Sequence, residues 1–223
     1  MRLLAIETAT NACSIALLDN DNVVELHEVE PRRHADLLLD MVERVLRSAG
    51  CTLADLDGLA FGCGPGAFTG LRIAAGVIQG LAFGTELSVA PISTLAALAQ
   101  GVYRLEGQPK VAAGFDARMG EVYWGCYSIE EDGLMSLIDT EEVAAPEAIH
   151  VPPGDGWCAA GNAWQSYGEI LGQRCGPRVN AQSLLEHPHA QDVGRLAVAV
   201  FNSGRQVNAA DALPTYLRNR VTR

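Results

Sequence analysis

The chain has 223 residues, a formal net charge of −11, and 48% hydrophobic against 19% charged residues. These values are ordinary for a globular protein of one or two domains. A protein that holds nucleic acid by itself is normally basic, so this charge argues against stand-alone nucleic-acid binding. Lys110 is the only lysine beside fifteen arginines, which disfavours the standard phosphate-binding loop because that loop needs a lysine.

The cysteines and the apolar segments indicate a cellular compartment. Six cysteines are scattered without a Cys-x-x-Cys pair, a pattern that favours free thiols over a zinc site or a disulfide framework. The apolar run at residues 3–6 is too short for a signal peptide, and the weakly polar stretch 73–84 is too short to span a bilayer. We therefore expect a reduced, cytoplasmic protein without membrane contact.

The first hundred residues alternate between strand-like and helix-like patterns. Turn-forming residues separate short apolar runs, and apolar residues then recur at helical spacing. The acid Glu7 directly follows the first of these runs. The predicted strands are 3–6, 12–18, 23–28, 58–61 and 87–90, and the predicted helices begin near His34, at Thr69 and at Leu95.

The second half opens in the same way as the first. An apolar strand ends in the acid Asp116, two more strands follow, and a later strand precedes the turn Gly161-Asn162 and a helix. The predicted strands are 111–115, 121–129, 134–138 and 157–160, and the predicted helices begin at Ala163 and His189. The repeated order predicts two similar α/β lobes, 1–103 and 104–205, with residues 206–223 packing back on the first.

The most distinctive stretch is Gly-Cys-Gly-Pro-Gly-Ala-Phe-Thr-Gly-Leu-Arg-Ile at residues 62–73. Thr69 suits the N-cap of a helix, and a glycine-rich turn before a helix can present N–H groups to a phosphate. The stretch lacks the lysine of a P-loop, however, and Thr69 stands where Gly-x-Gly-x-x-Gly requires its last glycine. It therefore favours a tight turn that lets helix and sheet pack closely, with phosphate binding as the alternative.

The helix after this turn carries Gly76 and Gly80 four residues apart, on one face. A glycine inside a helix costs about 1 kcal/mol relative to alanine, so two of them need a reason. The usual reason is the close approach of another backbone. That backbone belongs either to a helix of this chain or to a helix of another protein.

Other kinds of site have less support. Glu7 and Asp116, at matching strand ends, resemble the paired acids that straddle a metal–nucleotide in two-lobed ATPases, although a carboxylate in a turn is more often a cap. The five histidines form no His-x-x-x-His or His-Glu-x-x-His pair, and no Gly-x-Ser-x-Gly elbow is present. The sequence therefore does not support a hydrolase or a metalloprotease.

Three motifs together resemble the TsaB (YeaZ) family of tRNA threonylcarbamoyladenosine biosynthesis proteins. They are Leu-Ala-Ile-Glu-Thr-Ala-Thr at 4–10, Gly-Pro-Gly-Ala-Phe-Thr-Gly-Leu-Arg-Ile at 64–73, and Asp-Ala-Arg-Met-Gly-Glu-Val-Tyr at 116–123. They occur in the family's order, and the resemblance is weakest over 146–188. It implies an α/β protein with two ribonuclease-H-like lobes, the fold of the actin-like ATPase and sugar-kinase superfamily.

The resemblance also implies a non-catalytic paralogue of TsaD. The metal-binding histidine pair of TsaD corresponds here to Thr94 and Leu98, so neither a catalytic residue nor a metal is expected. The implied role is a scaffold that activates TsaD for threonylcarbamoyl transfer from threonylcarbamoyl-AMP to adenosine 37 of tRNA. TsaE would be a further partner, and tRNA would be met only through the complex. ATP and a TsaD-bound metal would belong to the assembly, and the chain alone would form a homodimer.

The resemblance places the partner surface on the helices that begin near His34 and Thr69. Its expected residues are His34, Leu37, Leu38, Met41, Arg72, Ile73, Gly76, Val77 and Gly80. The glycines would permit close approach, and the apolar side chains would supply the centre of an interface.

Two alternative functions stay open. One is an ATP- or ADP-binding actin-like ATPase, and the other is a glycoprotease-like metallopeptidase, which would need a bound metal. The ATPase would use the nucleotide cleft that is otherwise expected to be vestigial. The residues of that cleft are Glu7, Thr8, Thr10, Asp116, Gly161 and Asn162.

Overall fold

A computed structural model describes residues 1–218 of the chain. Its strands are β1 (Arg2–Glu7), β2 (Ala12–Asp19), β3 (Asn22–Val29), β4 (Gly58–Gly64), β5 (Val89–Ser93), β6 (Lys110–Arg118), β7 (Glu121–Ile129), β8 (Met135–Leu137), β9 (Glu142–Ala144), β10 (Trp157–Ala160) and β11 (Val179–Gln182). Its helices are α1 (His34–Ser48), α2 (Phe68–Thr85), α3 (Thr94–Glu106), α4 (Ala163–Cys175) and α5 (Ala190–Asn202). They form two compact units, Met1–Ala97 with Pro188–Thr215, and Leu98–His187 with residues 216–218.

The first unit contains a five-stranded sheet in the order β3-β2-β1-β4-β5. β1 pairs antiparallel with β2 and parallel with β4, and β5 extends the parallel side. Leu4 and Ile6 of β1 pack in the core that α1 and α2 cover, whereas α5 lies against the same strands from the other face. Because helices cover both faces, the strand is a continuous apolar run instead of an alternating one.

The second unit repeats this arrangement with the order β11-β10-β6-β7-β8, and β9 also pairs with β7. β6 pairs antiparallel with β7 and parallel with β10, as β1 does with β2 and β4. α4 covers the sheet over a core that includes Trp124, Trp157 and Trp164. Each unit therefore has the ribonuclease-H-like topology, and the predicted fold class is confirmed.

The division into units differs from the expected lobes because α5 belongs to the first unit. Two glycines show that α5 packs directly on the sheet of the first unit. A Cβ at Gly194 of α5 would overlap Leu18 of β2, and one at Gly58 of β4 would overlap Phe201 of α5. The following segment also joins the first unit, since Val207 pairs with Val89 of β5. Residues 216–218 fall in the second unit, and 219–223 lie outside the described residues.

The local sequence signals had mixed outcomes. At residues 52–55, a Thr-x-x-Asp sequence of the capping type forms a bonded turn, in which the Thr52 N–H and hydroxyl both donate to Asp55 at 2.8 Å. The prediction that Thr69 caps α2 is wrong, since the helix begins at Phe68 and Ala67 is its N-cap. The six cysteines are free thiols. Among residues 1–218, no helix is both long and apolar enough to cross a lipid bilayer.

Candidate functional site

The glycine-rich turn between β4 and α2 packs directly on the turn that follows β1. A Cβ at Gly66 would lie 2.6 Å from both the Cβ and the carbonyl oxygen of Ala9, and one at Gly70 would overlap the Thr8 carbonyl. The Thr8 hydroxyl donates to the Gly70 carbonyl at 2.9 Å, and the Ala67 N–H donates to the Ala9 carbonyl at 2.7 Å. The interpretation of the turn as a device for close packing is confirmed, whereas phosphate binding at the turn stays an alternative.

Glu7, at the end of β1, is buried close to this turn. Its side chain is buried, its Oε1 accepts the Ala9 N–H at 2.6 Å, and its Oε2 has no hydrogen-bond partner among residues 1–218. Burial raises the pKa of this carboxyl to about 8, although the backbone bonds oppose the shift. The absence of a side chain at Gly62 leaves the space that Oε2 occupies. Glu7 therefore holds a proton at neutral pH and is enclosed in the first unit.

The predicted cleft residues form one group in each unit. In the first unit, Glu7 and Thr8 meet at the glycine-rich turn, whereas the Thr10 hydroxyl accepts the Ala12 N–H at 3.3 Å in its own turn. In the second unit, Asn162 accepts the Asp116 N–H at 2.8 Å, and a Cβ at Gly161 would overlap the carbonyl of Gly114.

The carboxyl group of Asp116 is bonded within the second unit. It accepts the Arg118 N–H at 2.8 Å and lies 3.2 Å from the Arg118 guanidinium, and the Tyr167 hydroxyl donates to it at 3.3 Å. Asp116 and Asn162 are therefore in contact, and Gly161 packs on Gly114, so that these contacts join the ends of β6 and β10. The use of either group as a nucleotide cleft stays a prediction.

The solvent-facing side of helix α2 is exposed, and no other described part of the chain packs on it. A Cβ at Gly76, Gly80 or Gly84 would meet nothing within 4 Å. Phe83, beside the last of them, is 83% exposed. Residues three and four apart share one side of a helix, so these four residues form one surface, which we call the α2 face. No described residue approaches it, and internal packing therefore does not explain Gly76 and Gly80.

Phe83 and Gly84 were not predicted as members of this surface. Their spacing of three and four residues from Gly80 was the available signal, but an apolar residue at that spacing is equally typical of a core position. At the start of the helix, the guanidinium carbon of Arg72 lies 4.0 Å from the centre of the Phe68 ring. Both side chains are exposed, and Ile73 and Val77 are half-buried against the core.

The predicted contribution of α1 needs a correction. Leu38 and Met41 are completely buried in the core of the first unit, so they have no surface to offer a partner. Their helical spacing marks the side of α1 that faces the sheet. His34 is also buried, and its Nε2 lies 3.2 Å from the Ala12 carbonyl oxygen. Leu37 is half-buried, and the exposed large apolar side chain of this helix is Leu39, at 59%.

The two positions expected from the resemblance to correspond to the histidines of TsaD, Thr94 and Leu98, are both buried. The Thr94 hydroxyl donates to the Pro65 carbonyl, and Leu98 is completely enclosed. Over residues 1–218, no three histidine, cysteine, aspartate or glutamate side chains are grouped so that they could hold a metal ion. These positions therefore serve packing in this chain.

Comparisons with known proteins agree with this geometry. The family model described as "TsaD: tRNA N6-adenosine threonylcarbamoyltransferase" matches residues 27–155. The tRNA threonylcarbamoyladenosine biosynthesis protein TsaB of Escherichia coli is 43% identical over 99% of this chain and 96% of its own length. Its namesake in Haemophilus influenzae is 36% identical over 100% and 95%.

A solved structure gives the same result. The solved structure of YeaZ from Pseudomonas aeruginosa is 47% identical in sequence and superposes with a TM-score of 0.90, covering 97% of this chain and 99% of its own. The agreement extends over both units, so it concerns the whole chain and not one motif. The chain therefore belongs to the TsaB (YeaZ) family, within the wider family that the TsaD model describes.

Proposed function

We propose that this chain is a non-catalytic subunit in tRNA threonylcarbamoyladenosine biosynthesis, and that it binds and activates TsaD through the α2 face. The observation that carries the proposal is the open surface along Gly76, Gly80 and Gly84 next to the exposed Phe83. A partner helix can approach such a glycine lane closely, and an aromatic side chain beside it can fill a pocket in the partner.

The energetics favour a partner for this surface. Each glycine within the helix costs about 1 kcal/mol relative to alanine, and no contact within the described chain offsets that cost. An exposed phenylalanine likewise loses the roughly 1.5–3 kcal/mol that its burial would contribute. A second protein that packs on the α2 face would bury Phe83 and could approach the helix closely at its glycines, and both contacts would offset these costs. We expect a second copy of this chain to cover the face when TsaD is absent.

The burial of Thr94, Leu98 and Glu7 supports a non-catalytic role for this chain beside TsaD. Thr94 and Leu98 cannot supply the metal ligands that their counterparts supply in TsaD, and the carboxyl of Glu7 is sealed from solvent. Transfer of the threonylcarbamoyl group from threonylcarbamoyl-AMP to adenosine 37 would then be performed by TsaD with its own metal. ATP and TsaE would act in the same cytoplasmic assembly, and tRNA would reach this chain only as part of it.

The test is reconstitution of tRNA modification with purified TsaD and TsaE from the same organism. Wild-type chain should restore modification and co-elute with TsaD on size exclusion. Gly80→Arg should abolish both, because it places a bulky cation in the interface without a partner. Gly172→Arg is the matched control, since Gly172 is also an exposed glycine in a helix with nothing within 4 Å of its missing Cβ.

Two results would overturn the proposal. TsaD that modifies tRNA at full rate without this chain would exclude a required scaffold. Gly80→Arg that remains folded and still co-elutes with TsaD would exclude the α2 face as the contact. Hydrolysis of ATP by the isolated chain, lost on Asp116→Asn, would instead favour the ATPase.

A further inference from the structure

The second unit contains a cavity that the proposed scaffold role does not use. Its volume is about 340 Å³, at the lower end of the roughly 300–1,000 Å³ of ligand pockets. Its walls come from β7, from the residues after β8 and from the loop 150–153. Trp124, Ile138, Val151 and Pro152 supply apolar surface, and Asp139 and Thr140 supply polar groups.

Side-chain hydrogen bonds fix the loop that forms one wall. The Trp124 indole N–H donates to the His150 carbonyl at 3.1 Å, and the Trp157 indole N–H donates to the Pro153 carbonyl at 3.0 Å. Arg174 donates twice to the Ile149 carbonyl, at 3.1 and 2.9 Å. Glu142 accepts from the His150 N–H at 2.7 Å. The wall is therefore formed before any ligand arrives, which lowers the entropic cost of binding.

The chain segment that supplies the lining of this cavity is strongly acidic, although Arg174 and Lys110 bond to backbone carbonyls beside the loop, at Ile149 and Asp155. Residues 119–173 contain ten aspartates and glutamates and no lysine or arginine. This quarter of the chain therefore carries −10 of the total net charge of −11. Asp139, at the cavity, is exposed and forms no ion pair with any of residues 1–218. A cavity with apolar walls within a negative field selects a ligand that combines an apolar body with positive charge.

We propose that this cavity binds a basic peptide segment of a partner protein, in which an apolar side chain enters the cavity and a neighbouring arginine or lysine meets Asp139. The negative field favours a peptide over a small amine because ten carboxylates spread over one unit can attract several cations at once. This surface is distinct from the α2 face, so the proposal does not depend on binding to TsaD.

The experiment is a titration of the full chain with the peptide amide Leu-Arg-Leu-Arg-Leu-Arg, labelled with fluorescein on its N-terminal amine, followed by anisotropy at low ionic strength. Two further peptides separate the components, one with serine for each leucine and one with glutamate for each arginine. The first peptide should bind, the glutamate peptide should not, and the serine peptide should bind at least about tenfold more weakly, because an apolar anchor dominates such contacts.

Variants of the cavity locate the binding. Val151→Trp should fill the cavity and weaken the first peptide by about tenfold or more. Ile138→Ser removes an apolar wall from a side chain that is 40% exposed, so it tests the same site if Val151→Trp does not fold. Asp139→Asn should weaken binding by about two- to fivefold, as for an exposed ion pair. Glu169→Gln, an exposed acid on α4, should leave it unchanged.

Either of two outcomes overturns the proposal. One is the absence of measurable binding by the leucine–arginine peptide. The other is binding that is equal for the serine peptide and insensitive to both Val151→Trp and Ile138→Ser, because diffuse surface charge would then explain it.

Discussion

Helices α2 and α4 occupy corresponding places in the two units, because each follows the parallel strand next to the central strand and leads to the outer parallel strand. Both helices carry glycines four residues apart whose missing Cβ would meet nothing: Gly76, Gly80 and Gly84 in α2, and Gly168 and Gly172 in α4. Their surroundings differ. Phe83 is exposed beside the glycines of α2, whereas Gln165, Glu169 and Gln173 are exposed on α4.

This difference teaches that spaced glycines do not identify an interface by themselves. Small residues permit another backbone to approach, but apolar surface beside them supplies the free energy of association. The α2 face has both features. The glycine side of α4 has only the first, and water can solvate its amides and carboxylates. The comparison makes α4 an internal control for every substitution in α2.

Among the substitutions that change packing, the largest effect is expected at the buried end of α2. Gly70→Ala should lower the free energy of unfolding by about 3 kcal/mol, because the new Cβ would overlap the Thr8 carbonyl oxygen, a backbone atom that cannot move aside easily. Urea denaturation measures the loss. Gly172→Ala in α4 should be neutral or slightly stabilising, since nothing lies within 4 Å. Equal losses in the two variants would show that the glycine-rich turn is not packed on Thr8.

The second prediction concerns binding. Phe83→Ser should weaken the affinity for TsaD by about thirtyfold or more, as expected for an aromatic anchor at the centre of an interface. Isothermal titration calorimetry with TsaD measures the change. Ile170→Ser on α4, where the isoleucine is 42% exposed, should have no effect. A loss of the same size in both variants would remove the distinction between the two helices.

The third prediction compares Glu7→Gln with wild type. The folded-state pKa of Glu7 is about 8, above the ordinary value of 4.5, so the folded protein keeps a proton that the unfolded chain loses. This group therefore makes wild type less stable as pH rises from about 4.5 to 8, by up to about 1.4 kcal/mol per pH unit. Urea denaturation at several pH values should show that Glu7→Gln lacks this decline. Parallel curves for both proteins would place Glu7 in contact with water.

The fold was predictable from the sequence to a large extent because its signals are local. The strand, acid, turn and strand around Glu7 recur around Asp116, and apolar periodicity identified α1, α2 and α5. The assignment of α5 to the second lobe failed because periodicity shows that a helix has a buried side but not which sheet buries it. The close packing of Gly194 against Leu18 assigns α5 to the sheet of the first unit, and these two residues lie far apart in the chain.

The same limit explains the mixed result for the interface residues. Leu38, Met41 and Ile73 all stand at helical spacing, and an apolar side chain that packs in the core has the same pattern as one that awaits a partner. Only the burial seen in the folded structure distinguishes a core side chain from one that is free to contact a partner. Glycine is informative only together with the surface beside it: Gly76 and Gly80 have no compensating contact in the described chain, and exposed Phe83 lies on the same side of the helix.

The smallest effect is expected for Gly76→Ala, and its two readouts should move in opposite directions. Alanine at this exposed helical position should raise the free energy of unfolding of the isolated chain by up to about 1 kcal/mol, because it removes the backbone entropy cost of glycine and meets no neighbour. The added methyl should also hold a partner helix away and weaken TsaD binding. Gly172→Ala in α4 should share the gain in stability without the loss of affinity. If Gly76→Ala gains stability and binds TsaD as tightly as wild type, then close backbone approach is not what Gly76 provides, and the apolar surface around Phe83 must account for the contact alone.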